Sequence, residues 1–334
     1  MIALQLVGSP TSEFFYNLSL LYAKEVVQPH GFDLTFVTAH PDGTWSVSKT
    51  LDNNTKKLSL TEMIAEVKSA DLAVPHMFCH KGLTSIRTLF EDILNIPLVG
   101  SSGQSVSLTQ NKFVTKTICK TAGIQVPDGC LFKISEQNSE TKNFEFPVIV
   151  KPNNADNSDG LSLVKNSDKL NKALEKGFRF DDEVLVEEYI PGREIRGAVI
   201  ELGGTFRTLP FIEYKVHHEN PIRYAQDKLK FDEKGNLVSQ SDKKQIPAEC
   251  PAKLSNDLKF QLSELMIIAH KALKCRDFSM FDFRIHQDTI QPYLLEAGLF
   301  WSFSKTSMIS NMLSAENENL IEMTERIWNQ AKLR

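Results

Sequence analysis

Phe281-Asp282-Phe283-Arg284-Ile285, a short polar turn, and then Tyr293-Leu294-Leu295-Glu296 form the stretch from which the fold is read. Alternation puts Phe281, Phe283 and Ile285 on one face of a strand and Asp282 and Arg284 on the other. Residues 279–286 and 291–296 read as an antiparallel pair. Folding about a turn near Asp288 brings Asp282 within about one register step of Glu296. Two carboxylates on adjacent strands of an otherwise apolar hairpin repel each other unless something cationic lies between them. Magnesium suits such a pair, because it is a hard ion that takes carboxylate oxygens together with phosphate oxygens. A solvated acidic face would give the same pattern.

Two stretches upstream carry compatible chemistry. Pro147-Val148-Ile149-Val150-Lys151-Pro152 reads as a buried strand that ends in a lysine, with a small polar loop over residues 153–160 behind it. There Lys151 could hold phosphate oxygens while backbone N–H groups cap them. It is not a Walker loop, since neither Gly-x-x-x-x-Gly-Lys-Ser/Thr nor Gly-x-Gly-x-x-Gly occurs. Val184-Leu185-Val186-Glu187-Glu188-Tyr189-Ile190 carries carboxylates to a strand end, turns at Pro191-Gly192, and presents Glu194 at the start of the next strand. Such carboxylates can accept hydrogen bonds from ribose hydroxyls, and the neighbouring backbone can read an adenine edge. Each stretch also has a plainer reading, as a strand-end lysine or as surface charge at a turn. Lys112 and Lys116, one helical turn apart, read as solvated. His217-His218 reads as exposed loop, because no third ligand sits at metal spacing, and Phe14, Phe15 and Tyr16 read as packing.

The rest of the chain frames these stretches. Its 334 residues suggest two or three lobes. Hydrophobic content of 41%, charged content of 24% and a net charge of -4 give no global basis for binding nucleic acid or an anionic membrane. No apolar run approaches the roughly 18 residues of a membrane span, and the start of the chain reads as a strand rather than a signal peptide. Five scattered cysteines without a Cys-x-x-Cys pair argue against a disulfide framework or structural zinc and for a cytoplasmic setting. The first hundred residues alternate strands (4–8, 33–38, 72–75, 96–100) with helical segments, as in an open α/β lobe with parallel strands. A helix is expected over 107–122, ended by Gly123 and Pro127. Strands at 146–151, 161–165 and 183–187, with a helix capped by Ser167, make an α+β lobe. Gly203-Gly204 marks a hairpin, residues 213–251 a long polar excursion, and Leu258, Leu262, Leu265 and Ala269 an amphipathic helix.

In this order the signals resemble the ATP-grasp ligases, and across nearly the whole chain the D-alanine–D-alanine ligases. The match includes Ile96-Pro97-Leu98-Val99-Gly100-Ser101, Asn111-Lys112 with Thr115-Lys116, and Ala122-Gly123-Ile124-Gln125-Val126-Pro127. The resemblance implies a three-lobed ATP-grasp fold of mixed α/β and α+β class: an open α/β lobe (1–104), a central α+β lobe (105–190) and a C-terminal α+β lobe (191–334). It implies ATP and Mg2+ (or Mn2+) as cofactors, small-molecule substrates and a homodimer. Lys112 and Lys151 are then the phosphate lysines, and residues 154–160, with Asn157 and Ser158, the loop that closes over the triphosphate. Glu187, Glu188, Ile190 and Glu194 become adenosine contacts, Lys228 reaches the γ-phosphate, and Asp282 and Glu296 hold metal. Ser307 receives the carboxylate of the attacking amino acid.

Departures from that pattern cluster around the acceptor side. The family's Glu-x-Asn metal motif is here Glu296-Ala297-Gly298, and the arginine two positions before the metal aspartate is Met280, which leaves Arg284 to stabilise an oxyanion. Leu6-Val7-Gly8-Ser9, Met77-Phe78-Cys79, Asp156-Asn157-Ser158, Pro221-Ile222-Arg223, Leu295-Glu296-Ala297-Gly298-Leu299-Phe300 and Ser302-Phe303-Ser304 resemble the mycosporine-glycine–amino-acid ligases. That resemblance implies ligation of an amino acid such as serine or threonine to mycosporine-glycine. A dipeptide ligase such as a D-alanine–D-alanine ligase and a non-catalytic nucleotide-binding module are the alternatives.

Overall fold

Alternation decides the largest sheet, because its central strands bury one face completely and divide the other. The structure is a computed structural model describing residues 1–51, 55–136, 144–155, 158–217, 219–224, 230–231, 237–238 and 247–334. The N-terminal lobe holds β1 (Ile2–Gly8), β2 (Asp33–Ala39), β3 (Trp45–Ser48) and β4 (Leu72–Pro75) in the order β3-β2-β1-β4. β1 lies parallel to both β2 and β4. One sheet face, with Leu4, Leu6 and Ala73, packs on Met63 and Phe90. The other, with Ala3, Leu72 and Val74, joins a core built around Trp301, Phe303 and Trp328. Burial on both faces is why β1 and β4 read as unbroken apolar runs.

Two expectations in this region change. β3, which the sequence did not reveal, pairs antiparallel with β2, so the sheet is mixed at its edge. The run 96–100 is not a strand and makes one parallel bridge, Leu98 with Ala73. Asn95 and Gly100 take φ of 53° and 83°, and Pro97 has no N–H for a ladder. The helix expected over 107–122 is two helices, Gly103–Gln110 and Lys112–Thr121. Asn111, at φ −82° and ψ 103°, ends the first and caps the second by accepting from Val114 N–H at 2.9 Å.

The central lobe is a four-stranded antiparallel sheet of β5 (Gly129–Lys133), β6 (Val148–Pro152), β7 (Ser162–Val164) and β8 (Glu183–Glu188), ordered β5-β8-β6-β7. The C-terminal lobe follows with β9 (Gly192–Leu202), β10 (Thr205–Thr208), β11 (Ile212–Tyr214), the small pair β12 (Lys230–Phe231) and β13 (Leu237–Val238), and β14 (Ala248–Glu249). It ends with β15 (Phe278–His286) and β16 (Pro292–Gly298). The large sheet runs β14-β11-β9-β15-β16, with β10 folded onto β9 across the expected Gly203-Gly204 turn. Ile195, Val199, Phe281, Phe283 and Ile285 pack under helix Asn256–Ala272. A Cβ on Gly197 would meet Met266 Sδ at 2.4 Å, so the helix lies close against the strand there. The opposite face is apolar at one end (Ala198, Ile200, Phe278) and charged at the other (Glu194, Arg196, Asp282, Arg284). All five cysteines are free, and no helix of the described residues is long and apolar enough to cross a membrane.

Asp277 joins the pieces. Fully buried at φ 62°, its carboxylate accepts from Gly100 N–H at 2.7 Å, Gln330 Nε2 at 2.9 Å, and Arg334 NH1 and NH2 at 2.8 and 2.7 Å. One side chain thus ties the end of the 96–100 run, the start of β15 and the last helix. Asp277→Ala should lower the unfolding free energy in urea by about 1–3 kcal/mol, because it strands the buried Gly100 N–H. A surface change such as Asp33→Ala should move it by under about 0.5 kcal/mol.

Candidate functional site

Glu187 lies near the end of β8, directly opposite Ile149 of β6. Its carboxylate is 2% exposed and takes two lysines, Lys116 Nζ at 2.5 Å and Lys151 Nζ at 2.7 Å. Lys116 comes from helix Lys112–Thr121 and Lys151 from the end of β6, so one buried carboxylate fastens a helix to two strands. Burial alone would raise the Glu187 pKa, but Lys116 and then Lys151 outweigh it and hold it below the ordinary 4.5. The Lys116 ammonium, desolvated and only partly offset by Glu187, is lowered to about 8. Lys116 is therefore not the solvated lysine its sequence position suggests. The signal for it was present: it stands beside Thr115 and one turn from Cys119, both buried.

Lys112, one turn earlier, has its backbone N–H on Asn153 O at 3.1 Å and its Nζ on Ala155 O. The polar loop after β6 is held at Asn154, whose N–H donates to Asp181 Oδ2 at 2.5 Å. It closes through Ser158 at φ 65° and Gly160 at φ 73°. A Cβ on Gly160 would meet Pro152 Cγ at 2.6 Å, so only glycine lets the loop return this closely.

Lys112, Lys151, Ser158, Glu187, Glu188 and Ile190 line one cleft with Glu194, Asp282, Arg284 and Glu296. Ten of the residues expected at a nucleotide site are thus brought together by elements spread over nearly 200 positions of sequence. On the far wall the register pairs Arg196 with Asp282, and Asp282 with Glu296. The Arg196 fork donates to Asp282 Oδ1 from Nε at 2.5 Å and to Oδ2 from NH2 at 2.6 Å. The cation anticipated beside this acidic pair is therefore supplied in part by the chain itself, as a guanidinium. Arg223 Nε donates to Glu194 Oε1 at 2.5 Å, with its guanidinium 3.4 Å from the centre of the Tyr214 ring.

Two of the expected residues have further partners. Arg284, expected at an oxyanion, spends donors on Gly192 O at 3.0 Å and on Pro221 O, and so also holds two backbone segments at the cleft edge. Ser307 does not line the cleft. It caps helix Met308–Ala315, and its hydroxyl also accepts from Trp301 Nε1 at 3.0 Å. Asn157 and Lys228 lie outside the described residues. Tyr189, Ile222 and Arg223 also line the cleft and were not singled out individually as site residues. Arg196 was missed, although it stands two positions after Glu194 and so on the same strand face. Among the described residues no group of three or more His, Cys, Asp or Glu side chains is placed to hold a metal ion. Carboxylates such as those lining the cleft suit a hard cation that completes its shell with water and phosphate oxygens.

A family model described as D-ala D-ala ligase C-terminus matches residues 118–327. Among curated proteins, uncharacterized protein y4sG of Sinorhizobium fredii is 32% identical over 208 residues, covering 61% of this chain and 57% of that protein. A D-alanine–D-alanine ligase of Halalkalibacterium halodurans is 28% identical over 240 residues, covering 71% of this chain and 74% of its own. The fold is similar to the VanG D-Ala:D-Ser ligase from Enterococcus faecalis (TM-score 0.79, 20% identity, 99% of both chains). It is also similar to the D-alanine–D-alanine ligase from Bacillus anthracis complexed with ATP (TM-score 0.71, 21% identity, 100% of this chain and 97% of the other). The expected mixed α/β architecture of the ATP-grasp type is thereby the observed one.

Removing one partner of the buried triad leaves charge unpaired, so Lys116→Met should cost about 3–5 kcal/mol of unfolding free energy. The acid limb follows from Glu187. Its lowered pKa means the ion-pair stabilisation is complete above about 4.5 and is lost as pH falls through the lower folded value. Urea titrations between pH 3 and 7 should show that loss in the wild type and a shallower one in Glu187→Gln.

Proposed function

We propose, on the premise that the chain belongs to the family of D-alanine–D-alanine ligase C-terminal domains, that the cleft is the ATP site of a carbon–nitrogen ligase. The enzyme transfers the γ-phosphoryl group of ATP to an oxygen of an acceptor. The amine of an amino acid then attacks the activated carbon and expels phosphate. The observation that carries this reading is the convergence of Lys112, Lys151, Glu187, Glu194 and Glu296 on one cleft.

Each group has a task in that chemistry. Charge on a transferring phosphoryl group is spread over its oxygens, so positioning and electrostatic stabilisation supply most of the rate. Lys151, fixed in direction by Glu187, presents an ammonium at the edge of β6, and Lys112 presents a second from the helix beside it. The Lys116–Glu187 pair holds Lys151 in place rather than touching the nucleotide. Glu188 and Glu194 are carboxylates that can accept from ribose hydroxyls. Magnesium, when bound on Glu296, neutralises phosphate charge. Water has to be kept from the acyl phosphate or its equivalent, a task this reading gives to the loop 154–160 and the excursion 213–251, with Lys228.

For the acceptor, the named relatives support a D-amino acid carboxylate, which makes the product a dipeptide. A second reading, ligation of an amino acid to mycosporine-glycine, is favoured by one observation. Tyr22, Phe78 and Phe300 form a partly exposed aromatic run, with ring centres 5.1 and 4.3 Å apart. Phe300 lies just beyond β16, and so close in sequence to Glu296 and Gly298. Aromatic faces of this kind suit a flat, conjugated ring better than a methyl side chain.

Phosphate release from ATP and Mg2+ separates these readings. Release with D-alanine alone, with dipeptide formed in equal amount, is expected for the first. Release only with mycosporine-glycine plus an amino acid, giving a red-shifted product, would transfer the acceptor to the second. No release under either condition, with ATP bound, would overturn the ligase reading in favour of a nucleotide-binding module. Lys151→Met should lower kcat/KM about 10²–10³-fold, the usual loss for one phosphate-directed donor.

A further inference from the structure

Two rows of side chains cross the charged end of the large sheet. Tyr214 of β11, Glu194 of β9 and Arg284 of β15 stand opposite one another in register. Arg196 and Asp282 form the next row on the same face. Arg223 belongs to none of these strands and lies across both rows. Its guanidinium is 3.4 Å from the centre of the Tyr214 ring, and its Nε donates to Glu194 Oε1 at 2.5 Å. Its NH2 stands 4.0 Å from Asp282 Oδ2. A ring on one side and a carboxylate at one edge fix the plane of this side chain, which is 8% exposed. Burial acts to discharge it, but Glu194 and then Tyr214 outweigh that and keep it charged.

Among the described residues two arginines line the cleft, Arg223 and Arg284, and they are used differently. Arg284 donates to Gly192 O at 3.0 Å from NH1 and to Pro221 O from NH2, with Tyr189 Oη 3.5 Å from NH2. One of those carbonyls stands two residues before Arg223, so Arg284 fixes the segment that carries it. Arg223 spends only Nε. Among the described residues its NH1 and NH2 make no hydrogen bond. Asp282 Oδ2 lies beyond hydrogen-bond reach of NH2 and is already taken by the Arg196 fork. The NH1–NH2 edge of a guanidinium matches two oxygens of a phosphate, and it stays charged.

Resting on the ligase reading above, in which Glu194 faces ribose, we propose that Arg223, and not Arg284, is the arginine that meets the phosphate oxygens of ATP. NH1 and NH2 donate to the phosphates while Nε stays on Glu194, so one ion pair joins ribose recognition to phosphate recognition. Arg284 is a positioning residue that acts through the Pro221 carbonyl. Phosphate is then met by cations from both walls of the cleft, Lys112 and Lys151 on one and Arg223 on the other.

Isothermal titration calorimetry with the β,γ-imido analogue of ATP and Mg2+, and separately with adenosine, reads what the phosphates contribute. Arg223→Gln is expected to weaken the analogue about 10–100-fold, the usual loss for a hydrogen-bonded charge, and to leave adenosine binding unchanged. Arg223→Lys, which keeps the charge without the fork, should fall between wild type and Arg223→Gln for the analogue, again with adenosine unchanged. Should the glutamine variant fail to fold, the lysine variant decides. A role confined to holding Glu194 would weaken both ligands by the same factor. That result, or no loss on the analogue, would overturn the inference while leaving the ligase reading intact. Arg284→Lys is expected to weaken the analogue less than Arg223→Lys does, and the reverse order would return the phosphate contact to Arg284. No analogue bound by the wild type would remove the ligase reading and the inference with it.

Discussion

A buried carboxylate between two lysines is the constraint on which the cleft depends. Glu187 cannot remain charged at 2% exposure without partners, and the two it has come from different parts of the chain. Helix Lys112–Thr121, β6 and β8 are locked in one relation by that requirement, and Lys151 acquires a direction it would lack as a free surface lysine. The same device recurs across the cleft, where Arg223 holds Glu194 and Arg196 holds Asp282. Such pairs gain little net stability over an apolar core, because desolvation offsets most of the attraction. What they provide is fixed charge at known positions, which phosphoryl transfer uses.

The division of one sheet face explains how that charge is presented. β9 and β15 place Ala198, Ile200 and Phe278 against the Trp301–Phe303–Trp328 cluster at one end. At the other end the same face shows Glu194, Asp282 and Arg284 to the cleft, with Arg196 behind Asp282 on the same strand face. Packing at the apolar end, and the Asp277 junction to the N-terminal lobe, hold the charged end still. Preorganisation here is a consequence of strand continuity, with each charged residue two to six positions from a core residue on the same strand face.

Much of this was legible in the sequence wherever a residue's meaning is set by its neighbours along the chain. The alternation around Asp282 gave the face and the register to Glu296, and the glycines at 203–204 gave the hairpin. Strand-end Lys151 and the Glu187–Glu194 stretch were recognisable for the same reason. What escaped depends on partners distant in sequence. Lys116 looks solvated until Glu187, 71 positions on, is brought beneath it. Arg196 looks like an ordinary strand residue until Asp282, 86 positions on, lies opposite. The 96–100 run carries strand composition, but a positive φ at each end and Pro97 prevent a ladder. Ser307 also caps a helix and accepts from the Trp301 indole N–H, contacts its place in the chain does not announce.

The most direct test of the account is a crystal structure of the protein with Mg2+ and the β,γ-imido analogue of ATP. The account predicts the triphosphate between Lys112 and Lys151 on one side and Glu296 on the other, with Glu187 still paired to Lys116. Nucleotide bound elsewhere, or a triphosphate that displaces none of the solvent beside Lys151, would contradict it.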